Sequence, residues 1–331
     1  QLPIPKVMRY QLQDGQSSVR FVRPAHRLVV LHGDTILAAE ALGLSADRIT
    51  EGHRFMGAST LTLNHAEEYE RRLAEEGMVI ADYDVRKADI QKQLLETAES
   101  LNSTIGDDPE VATLLDEVTA LVEHPTVYVG QFDQAFLEVP QECLILTMRL
   151  NQKYFPLFDK TSGKLDHRFL IVSNMRPTDP KNIIEGNERV VRPRLADAKF
   201  FFDTDKKTSQ NDRVEQLANV VYHNKLGSQL QRTERVQQIA ALIASQLGAD
   251  IALAKRAAYL AKADLSSLMV GEFPELQGVM AAYYATHEDE SDEICQALAH
   301  QYDVRFNLAP NKDGLTALLL FVAERVETLV G

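Results

Sequence analysis

Residues 187–205 read NERVVRPRLADAKFFFDTD, and this stretch decides how the second half of the chain is organised. Wound as a helix, Val191, Leu195, Ala198 and Phe202 fall on one stripe at i, i+4, i+7 and i+11. Arg192, Lys199 and Lys206 recur every seven residues on another stripe. One face calls for a core and the other for something negative, or for solvent and local i to i+4 pairs such as Arg192 or Arg194 with Glu188 or Asp197. Pro193 brings no N–H and pushes Arg192 out of the α region, so the sequence predicts a helix beginning near Pro193, or a kink there.

The positive charge of the chain gathers around this stretch. Residues 181–236 hold 11 Lys/Arg against 8 Asp/Glu, whereas the 331 residues together carry a formal net charge of −13. That balance excludes a protein that coats nucleic acid indiscriminately, since such affinity comes from neutralising phosphates, but it leaves room for a local basic patch. The chain is long enough for two domains, and 45% hydrophobic with 25% charged residues is ordinary for a globular protein. Its two cysteines, Cys143 and Cys295, lie far apart in apolar helical patterns, so the expected setting is a reducing cytoplasm without a disulfide framework. No secretory pattern opens the chain, and its longest largely apolar run, Leu315 to Ala323, is too short to span a bilayer. Starting at Gln1 and stopping at Gly331 after a helical pattern, it reads as a piece of something longer.

Outward from the opening stretch, the two halves differ in period. Residues 1–65 alternate short β-branched runs with turns, and strands are expected again at 78–81, 126–132, in FLEVP (136–140), at 152–158 and at 168–174. Amphipathic helices are expected from Ala66 to Gly77 and twice within 82–122, broken near Gly106 and Pro109. Alternation without βαβ spacing points to an α+β domain with a mixed or antiparallel sheet over residues 1–178. From Asp179-Pro180, a good N-cap and first turn, nothing reads as a strand, and residues 179–331 are expected to be all-α.

Motifs that carry covalent chemistry are missing: no GxxxxGK[ST], no GxGxxG after a strand, no GxSxG and no HExxH. Arg23, His26, His53 and Arg54 cluster at strand ends without a carboxylate at fixed spacing, a pattern open to ligand binding or to turn-forming roles. The helical half resembles the HD phosphohydrolase family, whose metal site takes a histidine, an adjacent His-Asp pair and a late aspartate. Here RAAYLAKAD (256–264) stands where the pair belongs, and Ala261-Lys262 or Ala263-Asp264 replaces it. His223, Asp264 and Glu327 are the vestigial candidates, and a lysine ammonium would repel a divalent cation. The expectation is therefore a retained scaffold without a metal, with metal-dependent phosphohydrolysis as the rival.

A broader resemblance covers nearly the whole chain. FVRPAH (21–26), GHRFMG (52–57), VIADY (79–83), QKYFP (152–156), residues 187–205 and KADLSSLMVGEFPELQG (262–278) look like the β subunit of the bacterial two-subunit glycyl-tRNA synthetase. Departures are Tyr10 in place of a usual Trp, Asn151 in place of Asp, and Glu324-Arg325-Val326-Glu327 in place of Asp-Lys-x-Asp. The resemblance implies a central fragment of an α2β2 ligase that charges tRNA(Gly). ATP and its Mg belong to the α subunit, no cofactor sits on this fragment, and the fragment has no activity of its own. On that reading Arg192, Arg194, Lys199, Lys206, Lys207, Arg232 and Arg235 are the residues expected to meet tRNA phosphates. A module that only assembles subunits is the plainer alternative.

Overall fold

Period-two and period-3.6 patterning produce two compact units, formed by Gln1–Phe132 with Gln152–Arg189 and by Asp133–Asn151 with Val190–Gly331. The computed structural model describes residues 7–11, 15–21, 25–307 and 312–331. The expected switch of architecture at 178/179 and the observed division differ. The helical unit starts inside a helix at Val190 and also takes in residues 133–151.

The first unit opens with four two-stranded antiparallel ladders: β1 (Met8–Gln11) with β2 (Ser18–Phe21), β3 (Leu31–His32) with β4 (Thr35–Ile36), β5 (Glu40–Ala41) with β6 (Leu44–Ser45), and β7 (Ile49–Thr50) with β8 (Leu61–Thr62). Helices α1 (Tyr69–Glu75), α2 (Tyr83–Ser100) and α3 (Pro109–Leu121) follow, the last two capped by Asp82 and Asp108. The main sheet is antiparallel, with β9 (Ser103–Thr104), β10 (Thr126–Gln131), β11 (Phe155–Asp159) and β12 (Leu165–Ser173) in the order β10-β12-β11-β9. Ile90 and Leu94 of α2 and Leu114, Leu115 and Val118 of α3 bury Phe155, Leu157 and Leu170 beneath them. Alternate residues of β12 serve the other face, where Phe169 stacks on Tyr154 with centroids 4.8 Å apart. The Phe169 ring lies over Gly130, its register partner, where a Cβ would come within 2.6 Å of it.

Two predicted strands are absent. Residues 78–81 join no ladder: Met78 is left-handed with φ 53°, the Val79 amide goes back to the Leu73 carbonyl, and the Ile80 amide goes to the Glu123 carbonyl. Within FLEVP, Asp133 accepts from the Ala135 amide and winds 134–138 into a 3-10 turn that Pro140 ends. It leads into α4 (Gln141–Leu146) and a π-helical turn at Thr147–Asn151.

The opening stretch belongs to a single helix, α5 (Lys181–Asp205), which neither starts nor stops at Pro193. Proline in a helix interior costs about 3 kcal/mol. Burial of Val191, Leu195 and Ala198, each 0% exposed, outweighs that cost. Beyond it come α6 (Gln210–Gln216), a small hairpin of β13 (Val221–His223) and β14 (Gly227–Ser228), α7 (Gln229–Leu247), α8 (Ile251–Leu260), α9 (Leu268–Glu272), α10 (Val279–His287), α11 (Asp292–His300) and α12 (Lys312–Val330). The second half is helical as expected, with this short hairpin set between α6 and α7. Ser228 ends it in a capping box with Gln231 that starts α7. Small residues such as Ala240, Ala244, Ala257, Ala285, Ala297 and Ala323 let these helices pack closely around one core. Among the described residues, no helix is long and apolar enough to cross a membrane.

At the end of α5, buried Asp205 faces four donors. Its carboxylate accepts from Arg213 at 3.1 Å, from the Leu268 and Met269 amides at 2.9 Å each, and from the Tyr284 hydroxyl at 2.7 Å. It thus answers the free amides at the start of α9 while neutralising a guanidinium that is itself buried. Replacing Asp205 by Ala strands that charge and should cost about 3–5 kcal/mol in urea unfolding. Tyr284→Phe removes one donor of four and should cost only about 1 kcal/mol.

Candidate functional site on the helical unit

The basic residues of α5 and its neighbours separate into a paired set and a free set. Arg192, Arg194 and Lys207 are exposed and make no ion pair among the described residues. Lys199 is held by Glu138 at 2.8 Å and Asp203 at 3.4 Å, and Lys206 pairs with Asp203 at 3.0 Å while lying over the Phe202 ring. Arg232 and Arg235 stand apart from these, because α7 carries Arg232 into a buried network against α12 and lets the half-buried Arg235 reach the same network from its rim. There Arg232 is 6% exposed and reaches Glu324 at 2.6 Å, Thr328 at 3.1 Å and the Tyr222 ring at 4.9 Å. Its Nε also lies 2.9 Å from Glu327, off the axis of a hydrogen bond, so that contact is an ion pair only. Arg235 donates twice to Glu327, at 2.7 and 3.0 Å. Residue type made Arg232 and Arg235 look like phosphate contacts; their i to i+3 spacing on an amphipathic helix gave no hint of the carboxylates some 90 residues away.

Lys262 joins the same network at the end of α8. Its ammonium donates to Gln301 at 2.8 Å, approaches Glu324 at 3.4 Å and sits 4.1 Å from the centre of the Tyr302 ring. Burial lowers its pKa, against the raising effect of Glu324. Burial likewise works against the Arg232 charge, but Glu324 and Glu327 outweigh it and leave that pKa raised. A cavity of about 600 Å³ opens here, lined by Arg232, Lys262, Gln301, Tyr302, Glu324 and Arg325 among others.

The three vestigial metal candidates do not form a site. His223 is exposed on the hairpin and accepts from the Lys225 amide, while Glu327 is committed to two arginines. Asp264 is fully buried and accepts from the Gly278 amide at 2.7 Å. Among the described residues, no three His, Cys, Asp or Glu side chains converge as metal ligands would. The ion pairs of this network neutralise its charges and tie α7 and α8 to α12.

The GHRFMG cluster in the first unit is also built, for a different end. His53 is 2% exposed; its Nε2–H donates to the Asn174 carbonyl at 2.6 Å, and its Nδ1 accepts from the amides of Phe55 and Met56 at 3.2 and 3.3 Å. Gly52 and Gly57 press against Gly77: a Cβ on Gly52 would meet the Gly77 Cα at 2.7 Å, and one on Gly57 would overlap its carbonyl. His53 therefore shapes the loop and is no open ligand site. Arg54 is exposed over the Phe55 ring, His26 is exposed, and Arg23 lies outside the described residues.

Burial pushes the Asp264 carboxyl up to about 6, against the lowering effects of the Gly278 amide and Lys262. A carboxyl that binds its proton more tightly when folded loses stability as pH rises from its unfolded value, 3.8, through about 6. Asp264→Asn should thus gain on the unsubstituted chain between pH 4 and pH 7, by up to about 3 kcal/mol in urea unfolding; a gap that moves the other way would mean that the charge is net stabilising beside Lys262. Gly57→Ala should cost about 3 kcal/mol through overpacking, also read by urea unfolding.

With this geometry in hand, comparison with known proteins is direct. A sequence profile of the family described as "Glycyl-tRNA synthetase beta subunit" matches residues 1–331. A glycine–tRNA ligase beta subunit from Aromatoleum aromaticum is 54% identical over 330 residues, covering 100% of this chain and 46% of the relative. Beta subunits from Dechloromonas aromatica and Neisseria meningitidis serogroup C are 54% and 52% identical, each covering 100% of this chain and 47% of the relative. The chain thus spans a little under half the length of the curated relatives it matches. By profile and by identity along its full length, the chain belongs to the glycyl-tRNA synthetase beta subunit family.

Proposed function

We propose that this chain is a tRNA-contacting and subunit-bridging part of a glycine–tRNA ligase, with the covalent steps carried out elsewhere in the assembly. On this reading an α subunit binds ATP, its Mg and glycine, the tRNA is tRNA(Gly), and the working particle is a cytoplasmic α2β2 heterotetramer. The helical unit serves as a degenerate HD-like scaffold in which ion pairs occupy the interior that a metal would need. The observation that carries the RNA part is the free set on and just beyond α5, where Arg192, Arg194 and Lys207 face solvent unpaired among the described residues. Guanidinium and ammonium groups without a carboxylate are available to phosphates, whereas Arg232 and Arg235 are answered inside the fold.

The test is tRNA binding by the chain as a function of salt. Reversing Arg192, Arg194 and Lys207 to Glu should weaken binding on the order of 10-fold at physiological salt and lower the salt slope by about one for each phosphate that is no longer neutralised. Arg235→Gln, which acts inside the fold, should leave the slope unchanged. If the reversals change neither affinity nor slope, phosphate recognition by α5 is wrong and assembly alone is left as the role.

A further inference from the structure

Phe200 stands in the second half of α5 with 62% of its surface exposed. It lies off the buried stripe of Val191, Leu195 and Ala198, and its neighbours one turn before it, Ala196 and Asp197, are both exposed. Phe201 meets it edge-on with centroids 6.0 Å apart, which fixes a T-shaped pair and leaves the outer ring open. Cations flank it along the helix. Arg192 lies eight residues, or about 12 Å, before it and Lys207 seven residues, or about 10 Å, after it. Two carboxylates are equally near in sequence: Asp203, already held by Lys199 and Lys206, and Asp197, which is exposed and makes no ion pair among the described residues.

We infer that Phe200 is a stacking platform for an unpaired nucleotide base, with the phosphates on either side of that base meeting Arg192 and Lys207. The inference rests on the reading that α5 faces RNA and makes it more specific: the contact is with a single-stranded segment and not with a duplex. An exposed aromatic ring set among cations is what single-strand binding requires, because any base offers a π-face and each phosphate a charge. Lysines around an aromatic ring also set this surface apart from the centre of a protein–protein interface, where lysine is depleted.

The chain contains no tryptophan, so Phe200→Trp introduces its sole indole. Titrating that variant with a single-stranded oligoribonucleotide should quench its fluorescence, while a blunt-ended RNA duplex of the same length should leave it nearly unchanged. Phe200→Ala should weaken binding of the single strand on the order of 10-fold and leave the salt slope as it was, with Phe200→Trp retaining affinity. If the Arg192, Arg194 and Lys207 reversals weaken binding but Phe200→Ala does not and the indole is not quenched, stacking is overturned while phosphate recognition stands. Equal quenching by duplex and single strand also overturns it. So does an indole already shielded from acrylamide, without RNA, in the longer chain or with its partner subunit, because protein would then cover the ring. If neither the reversals nor Phe200→Ala has an effect, the RNA reading of α5 falls with it.

Discussion

A carboxylate taken out of water has to be answered by donors, and the four that answer Asp205 come from three separate elements: Arg213 of α6, the first two amides of α9, and Tyr284 of α10. Apolar packing brings these elements together, and this carboxylate fixes how their polar ends meet. Arg213 in turn donates to the Asp205 carbonyl at 2.6 Å and to the Ser266 carbonyl at 3.1 Å, so the end of α5 is held through both side chain and backbone. The two longest blocks behind the family resemblance, 187–205 and 262–278, meet at this point.

The same logic governs a second set of charges, buried at Arg232 and Lys262 and half-buried at Arg235. Arg232, Arg235 and Lys262 face Glu324 and Glu327, and each cation is answered by carboxylate or amide oxygen. Removing one partner from such a set costs far more than the set gains over apolar packing, so its value lies in fixing which helices adjoin. Interior and exterior cations consequently have different roles although their side chains are the same. Those on α7 are neutralised by α12, whereas Arg192 and Arg194 on α5 are exposed and make no ion pair among the described residues.

Much of this was legible in the sequence. The i, i+4, i+7 stripe of Val191, Leu195 and Ala198 is buried as its period requires, the caps at Asp82 and Asp108 begin α2 and α3, and the antiparallel β10–β12 pair follows the β-branched runs at 126–132 and 168–174. Other features were not legible, because local preference was overruled by distant partners. Pro193 reads as a helix boundary until the burial on either side of it is known. Met78–Ala81 reads as a strand, yet its amides are claimed by Leu73 and Glu123. His53 and His26 look alike as letters, and only packing distinguishes the buried, fully bonded one from the exposed one. The family itself came from matched blocks, since residue chemistry alone reached only the absence of nucleotide and nucleophile motifs.

The placement of Phe169 over Gly130 has a consequence for how the main sheet finds its alignment. Backbone ladders are indifferent to a slip along the strand, since every rung offers the same donors and acceptors. Here the ring fits only opposite the one position without a side chain, and sliding β12 by a single step would drive it against Val129 or Gln131. Gly130 therefore works as an index notch: it is the absence of atoms at one place that tells β10 and β12 where to stop.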